Sequence, residues 1–131
     1  MSERAARILM IDDEPLLLEV LTAFLEDNGF TVLQATDGPT GLELIRREQP
    51  DLVLCDLRLP GMDGLQVLAA VTRDYPDLPI LVVSGLGGMS DAIQALKLGA
   101  WDYVTKPIRT DEVLARVAAG HPLRPLGEGS V

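Results

Sequence analysis

Three short stretches of this chain run apolar without alternation: RILMI at 7–11, DLVLC at 51–55 and PILVV at 79–83. A strand with one face in water alternates polar and apolar side chains, so a stretch that does not alternate must be covered on both faces. That requirement leaves few architectures, because both faces of a sheet are covered when helices cross over between parallel strands. Two weaker strand candidates complete the set, TVLQA at 31–35 and WDYV at 101–104.

Segments of helical spacing separate these runs. Leu17, Leu21, Phe24 and Leu25 share a face of a segment that opens at Glu14-Pro15 and stops at Asn28-Gly29, with proline at the start and glycine past the end. Leu42 and Ile45 mark a second helix. Leu65, Leu68 and Val71 mark a third, ended by Tyr75-Pro76, and Ile93, Leu96 and Lys97 belong to a fourth, stopped by Gly99. For the fifth, Thr110 is the expected N-cap, followed by Asp111 and Glu112 at the favourable end of the helix dipole. Five β units alternating with five α units predict a doubly wound α/β fold with right-handed crossovers. The expected domain is 1–119. The remaining GHPLRPLGEGSV (120–131) reads as a tail or linker.

Composition narrows the class. The chain has 131 residues, enough for one domain, and 47% of them are hydrophobic. No apolar run approaches the roughly 18 residues of a membrane span, and nothing reads as a signal peptide, so no membrane association is expected. The single cysteine, Cys55, excludes an internal disulfide and suits a reducing cytoplasm. A net charge of −9 disfavours direct nucleic-acid binding by this domain. Cys55, Trp101 and the methionines are expected to be packing residues, and His121 lies in the tail.

The polar residues that end the strands carry the chemistry. RILMI runs into Asp12-Asp13-Glu14, DLVLC into Asp56, PILVV into Ser84, and WDYV is followed by Thr105 and Lys106. Parallel strands bring their carboxyl ends to one edge, where doubly wound folds bind ligands. Clustered carboxylates repel one another, and a hard divalent cation such as Mg²⁺, which takes oxygen ligands, relieves that repulsion. A carboxylate held between such a cation and a lysine is placed to attack phosphorus and form an acyl phosphate.

The ordered set of Asp12-Asp13-Glu14-Pro15, CDLRLPGMDG (55–64), Ser84 and LGAWDYVTKP (98–107) resembles the receiver domain of two-component response regulators. The likeness covers about 7–119. It implies a CheY-like, flavodoxin-like (βα)5 three-layer sandwich with strand order 2-1-3-4-5. It implies Asp56 as phosphoacceptor, Mg²⁺ ligated by Asp13 and Asp56 directly, by Asp12 through water and by the backbone carbonyl of Arg58. Ser84 and Lys106 would contact the phosphoryl group, Ser84 and Tyr103 would form the switch pair, and the Lys106–Pro107 bond would be cis. The donor would be a sensor histidine kinase, a histidine phosphotransfer protein or a small acyl phosphate. The surface around the fourth helix, the fifth strand and the fifth helix would change in a two-state equilibrium, with coupling of about 1–3 kcal/mol. An output domain or effector outside this chain would read that surface, and a phosphorylation-dependent homodimer is one form it can take.

Two features depart from the pattern or leave it open. Gly85-Leu86-Gly87-Gly88 has three glycines in four residues and is expected to be mobile. Leu86 and Arg58 sit at variable positions flanking the phosphoryl site, where access of water is controlled.

Three other functions compete. An Asp-nucleophile phosphohydrolase wants D-x-D after the first strand, and this chain has Asp-Asp-Glu. A flavodoxin-like FMN module wants a hydroxyl- and glycine-rich loop there, and this loop is anionic. A receiver-shaped adaptor acting without phosphorylation would not need the full set of Asp12, Asp13, Asp56, Ser84 and Lys106. The class of output remains open among a PP2C-like phosphatase, a sigma-factor adaptor, a DNA-binding domain and a cyclic-nucleotide enzyme.

Overall fold

A computed structural model describes residues 5–85 and 88–120. Five strands, β1 (Arg7–Ile11), β2 (Thr31–Ala35), β3 (Leu52–Asp56), β4 (Ile80–Ser84) and β5 (Asp102–Thr105), alternate with five helices. The helices are α1 (Pro15–Asp27), α2 (Gly38–Glu48), α3 (Gly64–Asp74), α4 (Met89–Lys97) and α5 (Thr110–Gly120). All strand pairs are parallel and the sheet order is β2-β1-β3-β4-β5.

The non-alternating runs do what their composition requires. Leu9, Ile11, Val53, Cys55, Ile80 and Val82 pack with α2, α3 and α4 on one face. The residues between them, Ile8, Met10, Leu52, Leu54, Leu81 and Val83, pack with α1 and α5 on the other. Both faces of these strands are covered, and β3 and β4 are buried at every position.

Three strands end one residue later than the sequence suggests. Asp56, Ser84 and Thr105 each complete a strand, with Asp56 paired to Val83 and Ser84 to Thr105. Sheet pairing uses backbone groups and is indifferent to the polarity of the last side chain. The chemistry is therefore carried on the rigid sheet and on the first residues beyond it. Thr110, expected to cap α5, is instead its first residue. The Arg109 carbonyl just before it accepts from the N–H groups of Glu112 and Val113. Trp101 is 39% exposed instead of packed, because it sits in the turn that enters β5. Met10 is buried as expected, whereas Met89 is half exposed at the start of α4.

Strand order reverses between β1 and β3. The loops that follow these two strands lead to helices on opposite faces, and a crevice opens between them at the carboxyl edge. Asp12, Asp13 and Asp56 border it.

Candidate functional site

Asp12 follows β1 directly, and its backbone N–H still donates to the Ala35 carbonyl at 3.0 Å, so the sheet ladder fixes it. Its side chain is buried, and Oδ1 accepts from the Glu14 N–H at 2.9 Å. Asp56 is 3% exposed. It continues the side-chain parity of Leu52 and Leu54. Oδ1 accepts from the Arg58 N–H at 2.9 Å, and Oδ2 accepts from the Lys106 ammonium at 3.0 Å. Both carboxylate oxygens are thereby oriented before any ligand arrives.

Asp12, Asp13 and Asp56 each offer an oxygen, and these oxygens lie within 4.8 Å of one another. Three acids this close form a strained electrostatic group. Burial pushes the Asp12 carboxyl up to about 6; the Glu14 N–H opposes the shift, while the charge of Asp56 adds to it. An oxygen-only cluster of three acids, countered by a single ammonium, fits a hard cation of the Mg²⁺ type.

Lys106 supplies the positive charge now present. Its backbone N–H donates to the Ser84 carbonyl at 2.8 Å, which fixes the residue beside β4. Its ammonium lies 2.7 Å from Glu14 Oε2, 3.0 Å from Asp56 Oδ2 and 3.8 Å from Asp12 Oδ2. Burial alone would depress its pKa. The hydrogen bonds to Glu14 and Asp56 outweigh this and hold it above the ordinary lysine value. The Lys106–Pro107 peptide is cis.

Ser84 is buried one strand away, with the parity of Ile80 and Val82. Its hydroxyl donates to the Gly88 carbonyl at 2.9 Å, with the Gly85 carbonyl at 3.4 Å. The hydroxyl proton thus faces the loop before α4 and is not directed at Asp56. Glycine at 88 leaves room for this hydroxyl, since a Cβ there would crowd Ser84 Oγ and force it to turn. Tyr103 is half-buried and packs against the α2–α4 side of the core. Leu86 and Gly87, part of the glycine-rich segment expected to be mobile, lie outside the described residues, as do 121–131 and His121 within them.

Two ion pairs at the site have no signal in the sequence. Arg58, on the loop after β3, reaches Asp91 in the first turn of α4 at 3.4 Å. Glu14 reaches Lys106 across 92 residues of chain. A cleft of about 590 Å³, lined by Asp13, Arg58, Pro60, Asp63 and Asp91 among others, borders the acids. A second pocket of about 340 Å³ opens beside Gln49, Asp51, Tyr75 and Leu78, at the opposite, amino end of the strands and away from this chemistry. Cys55 is buried, and burial pushes its thiol pKa far up, so it is a core residue.

Residues 8–118 match the family described as the response regulator receiver domain. The chain is 44% identical over 115 residues to the DNA-binding dual master transcriptional regulator RpaA of Synechocystis, covering 86% of this chain and 48% of that protein. It is 37% identical over 111 residues to the transcriptional regulatory protein GlrR of Escherichia coli, covering 85% of this chain and 25% of that protein. It therefore spans about half or less of these relatives. Among solved structures, the receiver domain of NtrX from Brucella abortus superposes with a TM-score of 0.83 at 31% identity, covering 86% and 96% of the two chains. A response regulator receiver domain from Clostridium thermocellum gives 0.84 at 29% identity, covering 88% and 93%. With its five parallel strands in the order 2-1-3-4-5 and its acids at the switch point, the chain belongs to the response regulator receiver domain family, whose general function is a phosphorylation-dependent switch.

Proposed function

We propose that Asp56 is the phosphoacceptor of this switch and that Asp12, Asp13, Ser84, Lys106 and Arg58 serve it. The observation that carries this reading is the posture of Asp56. It is a buried carboxylate at a strand end, held by the Arg58 N–H and the Lys106 ammonium, with two further acids within metal-sharing distance. One Asp56 oxygen forms the new bond to phosphorus as the bond between phosphorus and the donor breaks. The donor leaves with the bonding electron pair. Lys106 neutralises charge on the transferred group, and preorganised charge of this kind is usually the largest single contribution to such a step.

Asp13 and Asp56 would hold Mg²⁺ directly, with Asp12 through water and the Arg58 carbonyl as a further ligand. When bound, the ion supplies neutralising charge to the acids and to the phosphoryl oxygens. Ser84 would then turn its hydroxyl from the Gly88 carbonyl to a phosphoryl oxygen, and Tyr103 would move inward behind it. The same residues would assist loss of the phosphoryl group to water.

The domain, taken as about 1–119, would act in the cytoplasm and receive its phosphoryl group from a sensor histidine kinase or histidine phosphotransfer protein. The output surface would be that of α4, β5 and α5. Met89, Ile93 and Leu96 share one face of α4 and are 40–49% exposed, and Trp101, in the turn that enters β5, is exposed as well. Such a stripe suits a protein partner, either an output domain or a second copy of the chain. Incubation with acetyl phosphate and Mg²⁺ is expected to add a single phosphoryl increment to the intact mass, absent from Asp56→Asn. No increment on the wild type would reject this reading.

The raised pKa of Asp12 gives a pH signature. Its folded value of about 6 lies above the ordinary 3.8, so the folded state holds more protons between them. The corresponding stability is complete below the ordinary value and is lost as pH rises through about 6. From Asp12 alone, the ion-free domain loses on the order of 1 kcal/mol between pH 5 and pH 7. Mg²⁺ is therefore expected to raise the melting temperature clearly at pH 7.5 and little at pH 5. An equal shift at both pH values would contradict the assignment.

A further inference from the structure

Glu14 stands at the N-cap position of α1, yet its side chain makes no cap hydrogen bond. It reaches instead to Lys106 and makes the shortest of the three ion pairs there, 2.7 Å against 3.0 Å to Asp56 and 3.8 Å to Asp12. Glu14 is not one of the three acids whose oxygens cluster for a metal, and its side chain is 57% exposed. It is therefore free to let go of the lysine at little desolvation cost. The Lys106 ammonium has three N–H donors, and two are already committed, one to Glu14 and one to Asp56.

We infer that Glu14 is a positioning residue that holds the Lys106 ammonium in the resting site and competes with the incoming phosphoryl group for it. This rests on the reading of Asp56 as phosphoacceptor. With acetyl phosphate, an Asp56 oxygen bonds to phosphorus, and acetate leaves with the electrons of the broken P–O bond. The group now on Asp56 carries oxygens that need the same ammonium. Lys106 gives up Glu14, the exposed partner, and keeps contact with the modified Asp56. Glu14 thus sets how readily the site takes an anionic donor. Because that competition acts alike on the bound donor and on the transition state, its removal lowers the donor concentration needed without changing the limiting rate.

The test is the dependence of the phosphorylation rate on acetyl phosphate concentration at saturating Mg²⁺, for wild type, Glu14→Gln, Glu14→Asp and, as a control, Glu19→Gln. Glu14→Gln is expected to lower the half-saturating acetyl phosphate concentration about 3–10-fold with the limiting rate unchanged, the size expected for losing one charged competitor. Glu14→Asp keeps the charge but is one methylene too short for the 2.7 Å contact, so it is expected to follow Glu14→Gln. Glu19→Gln removes an exposed charge further along α1 and is expected to match wild type. If Glu14→Asp matches wild type, the effect is general charge and not the ion pair, and the inference fails. If Glu14→Gln matches wild type while Asp56 is still phosphorylated, the inference fails and the proposed function stands. If wild type takes up no phosphoryl group on Asp56, both fall.

Discussion

Lys106→Met is expected to slow phosphoryl uptake from acetyl phosphate by about 10²–10³-fold at saturating Mg²⁺, the usual effect of removing one preorganised charge donor from a transition state. Among the described residues, Lys106 is the cation within 4 Å of Asp56, and it also touches Asp12 and Glu14. Methionine keeps an unbranched apolar stem only one atom shorter than lysine, so packing is largely preserved and charge is what changes. Without the ammonium, Asp12 and Asp56 stay buried beside each other with no counter-charge, a costly state for carboxylates. The variant should therefore melt lower than wild type in a chelator, with part of the loss recovered on adding Mg²⁺. Rates from intact-mass time courses and melting curves with and without Mg²⁺ check both halves. Uptake within a factor of a few of wild type would remove Lys106 from the transfer step.

The second large effect is structural. A Cβ added at Gly64 would overlap the Asp56 carbonyl oxygen and Leu57 Cα, both backbone atoms that cannot rotate away. Neither side of the contact is free to move. Asp56 is paired into the sheet, and the start of α3 is pinned by a capping box between Asp63 and Gln66. Gly64→Ala is expected to destabilise the domain by about 3 kcal/mol, the upper range of overpacking, and to lower Tm by about 10 °C. The surviving folded protein should also be phosphorylated more slowly, because the displaced backbone is that of Asp56. Gly85→Ala is the control, since a Cβ there meets nothing within 4 Å among the described residues, and its effect should stay within about 1 kcal/mol. Denaturant melts of the two variants decide the matter. A wild-type melt for Gly64→Ala would mean that β3 and α3 do not approach this closely.

Much of this was legible in the chain itself because the signals are local. Runs that do not alternate must be buried on both sides, and that alone leads to parallel strands and crossover helices. Pro15, Asn28-Gly29, Tyr75-Pro76 and Gly99 mark helix ends by their own backbone preferences. The site acids are legible because each follows an apolar run, and the resemblance assigned roles to them. What escaped is non-local or concerns direction. Glu14 reads as a helix start because its partner lies 92 residues away, and Arg58 and Asp91 are 33 apart on different elements. Ser84 is correctly placed at a strand end. Its hydroxyl direction, however, depends on strand parity and on the carbonyl of Gly88, which no single-residue signal conveys. Trp101 reads as core by composition, but one turn residue before β5 faces out.

The central claim is that the phosphoryl group resides on Asp56 and on no neighbouring acid. An acyl phosphate is reduced by borohydride to an alcohol, so a phosphorylated aspartate is converted to homoserine while free aspartates are untouched. The protein treated with acetyl phosphate and Mg²⁺, then with borohydride, and read by peptide mass mapping, should carry homoserine at position 56. It should retain aspartate at 12, 13 and 63. Homoserine at position 12 or 13, or none anywhere after full exposure to the donor, would contradict the account.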